Sequence, residues 1–444
     1  MSEELTTIFG LDPKWLSSII LITIYVILFS EKINRAVIAL LGACIMILVG
    51  VITQNQALAG IDFNTLSLLI GMMIIVGIAE KSGVFKFLAI WSVQKAKANP
   101  RSLLIVLAFI TAIFSAFLDN VTTVLLIIPV TIQITQKLKI PSYPYLILEI
   151  FASNIGGTAT LIGDPPNILI GSAINLSFMD FIYELTPVVL ITMIFLIITF
   201  DMVYHKKLHT SHRNRIKIMK INAAEAITDI TLLKQSISIL LLVITGFILA
   251  EHLHISNGTI AILGAAMLML IHTSGKTTSE RDNIIETTFD LVDWTTIFFF
   301  AGLFALVSGL EHSGVLAIVG HYFSDMTGGS IEKATMIIVW FSALVSSAID
   351  NIPFVATMIP LVKTMEVDMG GREAMMPVWW ALSLGSCFGG NGTLIAASAN
   401  VIVAGISQKE GHPIHFMKFL IWSIPITIGS IAIASIYLHI KYFM

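Results

Sequence analysis

Charge-free, mostly apolar runs of 14 or 15 residues recur along the chain, at 15–29, 66–79, 187–200 and 237–250. A bilayer core about 30 Å thick needs roughly 20 predominantly apolar residues per helix, a length these runs reach with their flanks. The pattern predicts spanning segments at 15–30, 35–52 and 64–80, then a 102–137 stretch interrupted by Asp119-Asn120. A broken segment at 144–175 and a span at 180–203 follow. A single helix over 102–137 is far too long for a bilayer. A re-entrant hairpin with Asp-Asn at its tip crosses nothing and leaves five crossings in this half.

The same pattern returns downstream. At an offset of 231, Asp62 falls on Asp293 and Gly71 on Gly302, and the Glu-x-Ser-Gly-Val beginning at Glu80 falls on that at Glu311. That offset also lays FLDNVTTVLLIIP on AIDNIPFVATMIP, bringing Asp119-Asn120 onto Asp350-Asn351. At 233, the Gly-Gly of GGTAT meets that of GGNGT and Asn167 meets Asn400. Ordered matches at nearly one offset mark a duplicated architecture. The expected fold is an all-α polytopic membrane protein of two inverted-topology repeats, each of about five spanning segments. Two re-entrant hairpins and two broken helices complete it. The first repeat covers 1–204. A basic cytoplasmic linker covers 205–235, and the second repeat covers 236–444 with its hairpin at 334–363 and its broken helix at 375–403.

Composition agrees: 56% of the 444 residues are apolar, only 12% are charged, and the mean hydropathy is +0.90. Soluble domains carry about 25% charged residues. With the N-terminus outside, 20 of the 25 Lys and Arg fall in inside loops, as the positive-inside rule requires. The acidic start MSEELTTIFGLDPK lacks the basic region of a cleaved signal peptide. Cys44 and Cys387 both lie in apolar segments, so neither a disulfide framework nor a metal site is indicated.

Membranes tolerate unwound backbone only where protein buries it or a wet cavity meets it. Four polar breaks meet that description: the hairpin tips at 118–123 and 349–353, and the broken helices at 153–167 and 385–400. Free amides at a half-helix N-terminus favour anions, and free carbonyls favour cations. Pro165-Pro166 stops a helix running through the first break, while Asn and Thr offer neutral oxygens. This is the plan of a secondary transporter.

SNIGGTATLIGDPPNILIG, with FLDNVTTVLL and SSAIDNIPFVATMIP, resembles the arsenite-permease/NhaD/pink-eyed-dilution P-protein branch of the ion transporter superfamily. That superfamily also holds the divalent-anion/sodium symporters. The resemblance runs over roughly 15–440 and implies inverted repeats, two hairpins, a scaffold with a mobile transport subdomain, and a homodimer. An arsenite-type member implies in addition a cytosolic ATPase partner. In the carboxylate symporters the tips carry Ser-Asn-Thr. Here Asp119-Asn120-Val121 and Asp350-Asn351-Ile352 stand there, which argues against dicarboxylate transport.

Intramembrane carboxylates cost about 2.5 to 3.5 kcal/mol at a helix centre and are functional candidates by default. Asp119 and Asp350 read as proton or cation carriers, or as N-caps of the second hairpin helices. Asp164, with Ala397 opposite it, reads as a single coupling site or as a turn residue before Pro-Pro. Glu149 is a candidate proton relay, or a buried carboxyl bonded to the backbone. Asn120, Thr122, Asn154, Gly156, Thr158, Asn167, Asn351, Asn391, Thr393 and Asn400 complete the candidate substrate and ion site. Glu80 and Glu311 read as interfacial, and Cys387 as a small filler.

No Lys or Arg is expected near any break, so the breaks suit protons, cations or neutral species better than anions. The expectation is a proton-coupled antiporter exporting arsenite or sodium by alternating, elevator-like access. It would be multi-pass in the cell inner membrane, with no cofactor beyond H⁺ and Na⁺ as coupling ions and no nucleic-acid partner. A sodium-coupled anion or dicarboxylate symporter and a passive channel are the alternatives. An enzyme is not expected: the Gly-x-Gly-Asp element of intramembrane aspartyl proteases is absent before Asp164, where the chain reads Leu161-Ile162-Gly163.

Overall fold

A computed structural model describes residues 7, 10–29, 32–220 and 222–444. Most of the acidic start, at 1–6, 8 and 9, lies outside the described residues. Among the described residues the chain is helical and contains no strand. The first half runs α1 (Pro13–Phe29), α2 (Arg35–Leu48), α3 (Gln54–Ala59), α4 (Phe63–Lys81), α5 (Val84–Lys95), α6 (Pro100–Phe117), α7 (Asn120–Leu138), α8 (Tyr143–Gly157), α9 (Pro165–Ala173) and α10 (Phe178–Tyr204). After α11 (His212–Met219) and a 3₁₀ turn come α12 (Ile230–Leu253), α13 (Asn257–Thr273), α14 (Thr278–Phe289), α15 (Trp294–His312) and α16 (Val315–Thr327). The chain then forms α17 (Ile331–Ala348), α18 (Asn351–Asp368), α19 (Met376–Gly389), α20 (Ser398–Lys409) and α21 (Phe416–Phe443).

In this order α12–α21 answer α1–α10 one for one, down to the details of how helices start. Asp62 caps α4 through the amides of Asn64 and Thr65 and accepts from the Thr65 hydroxyl at 2.6 Å. Asp293 caps α15 through Thr296 in the same way, with the hydroxyl at 2.5 Å. Gly83 and Gly314 precede α5 and α16 at φ of 81° and 76°, a left-handed conformation that only glycine adopts without strain.

Two groups of helices emerge from the packing. In one, α4 lies on α13 and α2 on α15, so each half's second helix packs on the other half's fourth, with α1 and α12 alongside. These close crossings need glycine. A Cβ on Gly71 would sit 2.5 Å from the Ala261 carbonyl carbon, and one on Gly302 would sit 2.7 Å from that of Ala39. In the second group α6 packs on α8 and α17 on α19, with α10 and α21 against them. Here too the halves interlock, α7 against α20 and α9 against α18. We call the first group the scaffold and the second the carrier.

Among the described residues eight helices are long and apolar enough to cross a bilayer, α4, α6, α7, α10, α12, α15, α17 and α21. Along α10, Leu190, Ile191, Ile194 and Ile198 face outward, each about half exposed, which suits a lipid-facing surface. Replacing Gly71 or Gly302 by Leu forces side-chain atoms into backbone on the facing helix and is expected to destabilise by about 1–3 kcal/mol or more. The yield of monodisperse protein in detergent, compared with that of Gly405→Leu, where a Cβ meets nothing within 4 Å, checks this.

Candidate ion-binding centre

Helix α8 keeps its hydrogen bonding as far as Gly157, and α9 starts only at Pro165, which leaves 158–164 unwound. In the second half α19 ends at Gly389 and α20 starts at Ser398. The breaks are therefore shorter than the sequence suggests, because 153–157 and 385–389 remain helical. Gly156 is a packing residue: its Cβ would stand 2.4 Å from Ala112 of α6. Gly389 likewise packs on α17, where its Cβ would stand 2.8 Å from the Ala343 carbonyl oxygen.

Unwinding parts carbonyls from their helical donors, and those turned into the protein need another. The asparagine one turn into the following helix supplies it. Asn167 donates its side-chain amide to the carbonyls of Thr158 (3.0 Å) and Thr160 (2.9 Å). Asn400 does the same to Gly390 (2.7 Å) and Thr393 (2.9 Å). The loops are also pinned to the first hairpin helices, Thr160 Oγ1 to the carbonyl of Ala116 and Thr393 Oγ1 to that of Ser347.

The four breaks meet in one buried cluster of amides around one carboxylate. Asp164 Oδ1 accepts from Asn120 Nδ2 (3.2 Å) at the first hairpin tip and from Asn351 Nδ2 (3.4 Å) at the second. Asn154 Oδ1 accepts from Asn120 at 3.4 Å. Asn154 Nδ2 donates across the halves to Asn391 Oδ1 (2.9 Å) and Asn400 Oδ1 (3.0 Å). Asn167 Oδ1 accepts from Ser383 at 2.6 Å. Cys387, at the position matching Asn154, lies 3.6 Å from the same Asn167 oxygen. All of these side chains are at most 5% exposed. Asp164 Oδ2 and Asn391 Nδ2 are buried without a hydrogen-bond partner. One free acceptor and one free donor thus remain in a centre otherwise closed on itself.

The other candidates stand around this cluster. Asp119 accepts from the Thr122 amide at 2.8 Å and its hydroxyl at 2.6 Å, which commits Thr122 to the cap. Asp350 accepts from the Ile352 amide at 3.0 Å. Both aspartates are helix caps, partly buried, and neither is hydrogen-bonded to Asp164 or the asparagines. Thr158 Oγ1 returns to the Asn154 carbonyl at 2.8 Å. Glu149 is buried on α8, accepting from Thr131 Oγ1 at 2.6 Å, with its other oxygen unpartnered. Glu80 and Glu311 are exposed.

One expectation is overturned. A cation does stand at a break: Arg35, the first residue of α2. Its Nη1 is 2.9 Å from Ser398 Oγ and 3.5 Å from Asp350 Oδ2, and its Nη2 is 2.8 Å from Thr296 Oγ1. The Phe299 ring lies 5.3 Å beneath the guanidinium. In sequence Arg35 reads as one more basic loop residue, because its partners lie 261 to 363 positions away. Only the cross-packing of α2 on α15 brings it to the second hairpin.

A family model described as citrate transporter matches residues 25–385. The chain belongs to that family. An uncharacterized transporter of Mycobacterium tuberculosis is 42% identical over 430 residues, covering 96% of this chain and 98% of the relative. The P protein of Sus scrofa is 31% identical, covering 96% of this chain and 59% of its own length, in keeping with the P-protein resemblance. Among solved structures, the YdaH transporter of Alcanivorax borkumensis shares the fold at a TM-score of 0.61 and 14% identity, covering 97% of this chain and 98% of that one. The MtrF protein of Neisseria gonorrhoeae, described within a class of antimetabolite efflux pumps, does so at 0.60 and 13%, covering 99% and 97%. The chain is a multi-pass membrane protein of transporter type.

Replacing Asn167 by Ala orphans two buried carbonyls, and Asn400→Ala one buried and one part-buried carbonyl, at about 1–3 kcal/mol per buried bond unmade. The thermal unfolding midpoint in detergent should fall for both variants, whereas Asn283→Ala, at an exposed position of α14, should leave it near wild type.

Proposed function

We propose that this chain is a secondary active transporter that moves a small ion by alternating access, with Asp164 as the group that carries the coupling charge. The observation behind this reading is the buried carboxylate held between two hairpin tips by neutral amides, with one oxygen left unpartnered. An acid in that setting exchanges a proton for a cation at little structural cost, because Asn120 and Asn351 donate to it in either state. Proton-coupled antiport, with sodium or arsenite as the exported species, follows as the finer reading. The two repeats lie inverted in the bilayer with the basic linker cytoplasmic, and the carrier group moves against the scaffold. Asp119 and Asp350 act as caps that keep the tip amides oriented and, by position, as second-rank charge carriers.

A second reading has one observation in its favour. Arg35 presents a cationic fork at a cavity of about 380 Å³ that Asp350 and Ser398 also line, and such a fork suits a carboxylate. Sodium-coupled anion symport is that alternative. The Asp350 carboxylate already offsets the Arg35 charge, which leaves proton-coupled cation exchange preferred.

Everted membrane vesicles holding a pH gradient separate the two. Sodium or arsenite is expected to dissipate the gradient with the wild type, and Asp164→Asn, which keeps its acceptor oxygen, to reduce the rate by at least about tenfold. A gradient indifferent to both species, together with sodium uptake driven by citrate or a dicarboxylate, replaces antiport with the symport reading.

A further inference from the structure

We propose that Arg35 is a positioning residue, a latch that ties the scaffold to the carrier and holds the transporter in the access state seen here. The inference rests on the alternating-access reading and adds to it the contact that sets the balance between states.

The two halves match helix for helix, yet their hairpin tips are not equally open. Asp350 lines the cavity of about 380 Å³ together with Tyr25, Arg35, Phe299 and Ser398. Its counterpart Asp119 meets a space of about 20 Å³, and the cavity of about 470 Å³ that lies beside α9 on this side, lined by Leu161, Ile168 and Asn257, stops short of Asp119. On the broken helices, Val401 is 44% exposed and its counterpart Ile168 only 3%, while Ile395 is 38% exposed and Ile162 4%. Identical packing rules therefore give an open second tip and a shut first tip, and something must weight one arrangement over the other.

The contacts across the scaffold–carrier boundary differ in charge at just these places. On the open side, Arg35 of the scaffold reaches Asp350 and Ser398 of the carrier, and Tyr25 Oη donates to the Pro353 carbonyl at 2.8 Å. The fork is preset from the scaffold side by Thr296 and Phe299, both on α15. On the shut side Asn257 stands first in α13 where Arg35 stands first in α2, and a neutral contact, Asn64 Nδ2 to Ser172 Oγ at 2.9 Å, joins α4 to α9. The ion pairs Arg101–Asp201, His439–Glu332 and Lys441–Glu184 stay inside the carrier, and His321–Asp368 ties α16 to α18. Arg35–Asp350 joins the moving parts. Sliding the carrier along the scaffold must part the guanidinium from Ser398 and Asp350, and charge-assisted bonds are the costlier ones to break.

Cysteine accessibility reads the two states without any substrate. In a Cys44→Ala background, Val401→Cys reports the open side and Ile168→Cys the shut side. A membrane-impermeant maleimide is applied to inverted and to right-side-out vesicles. Arg35→Gln is expected to lower the labelling rate of Val401→Cys and raise that of Ile168→Cys, each by about tenfold. Ser398→Ala, which removes only the shorter carrier contact, should shift both rates the same way by less, and Arg35→Lys should lie between wild type and Arg35→Gln. Unchanged rates, or opposite shifts, in whichever of these variants reach the membrane overturn the latch. A shifted labelling pattern in a protein that leaves the vesicle pH gradient untouched upholds the latch and overturns the antiport reading alone.

Discussion

Everything at the centre of this molecule follows from backbone carbonyls that lose their helical donors inside a membrane. Seven or eight unwound residues in each half would be prohibitive in lipid, and they persist because one asparagine per break turns back to hold two of the freed carbonyls. The same asparagines present their oxygens inward, where Ser383 and Asn154 meet them. The clamp that makes each break affordable is thereby also the wall of the candidate site. Loop stability and site geometry are one property here, and they rest on the same two side chains.

Around that centre the fold grades its packing by side-chain size. The scaffold crossings run through Gly71 and Gly302, where helices approach backbone to backbone. Gly156 and Gly389 bring α8 and α19 close to the hairpin helices within the carrier. Between the two groups the contacts are fewer, α15 on α18, α4 on α9 and α12 on α10, with Arg35 of α2 reaching Ser398 of α20. Tight, small-residue packing inside each group with looser contact between them is the distribution expected of two bodies that move past each other.

Much of this was legible in the sequence, for a physical reason. Asp-Asn tips and Gly-Gly breaks are so costly in an apolar run that they mark interruptions in the helices by themselves, and the structure has helix ends at Phe117 and Ala348, Gly157 and Gly389. The offset between the halves likewise reveals which caps answer each other, as Asp62 and Asp293 do. What the sequence hid was partnership. The repeat sets Asp164, opposite Ala397, apart from the paired Asp119 and Asp350, but it does not show that Asp164 bridges both hairpin tips while the other two cap their own helices. Arg35 was hidden more deeply, since its environment is made by residues of the opposite half. Gly156 misled because glycine serves close packing and unwinding alike, and only the position of Ala112 tells them apart.

The duplication is complete in its helices but not in its chemistry: Asp164 has Ala397 as its counterpart, and Asn154 has Cys387. A chain assembled from two copies of its own first half would crowd two acids into a cluster of neutral amides, and like charges in such a place resist ionising together. Two copies of the second half would enclose a centre with no acid at all. Neither half doubled on itself can therefore rebuild this centre, which takes its single acid from the first half and the thiol opposite Asn154 from the second.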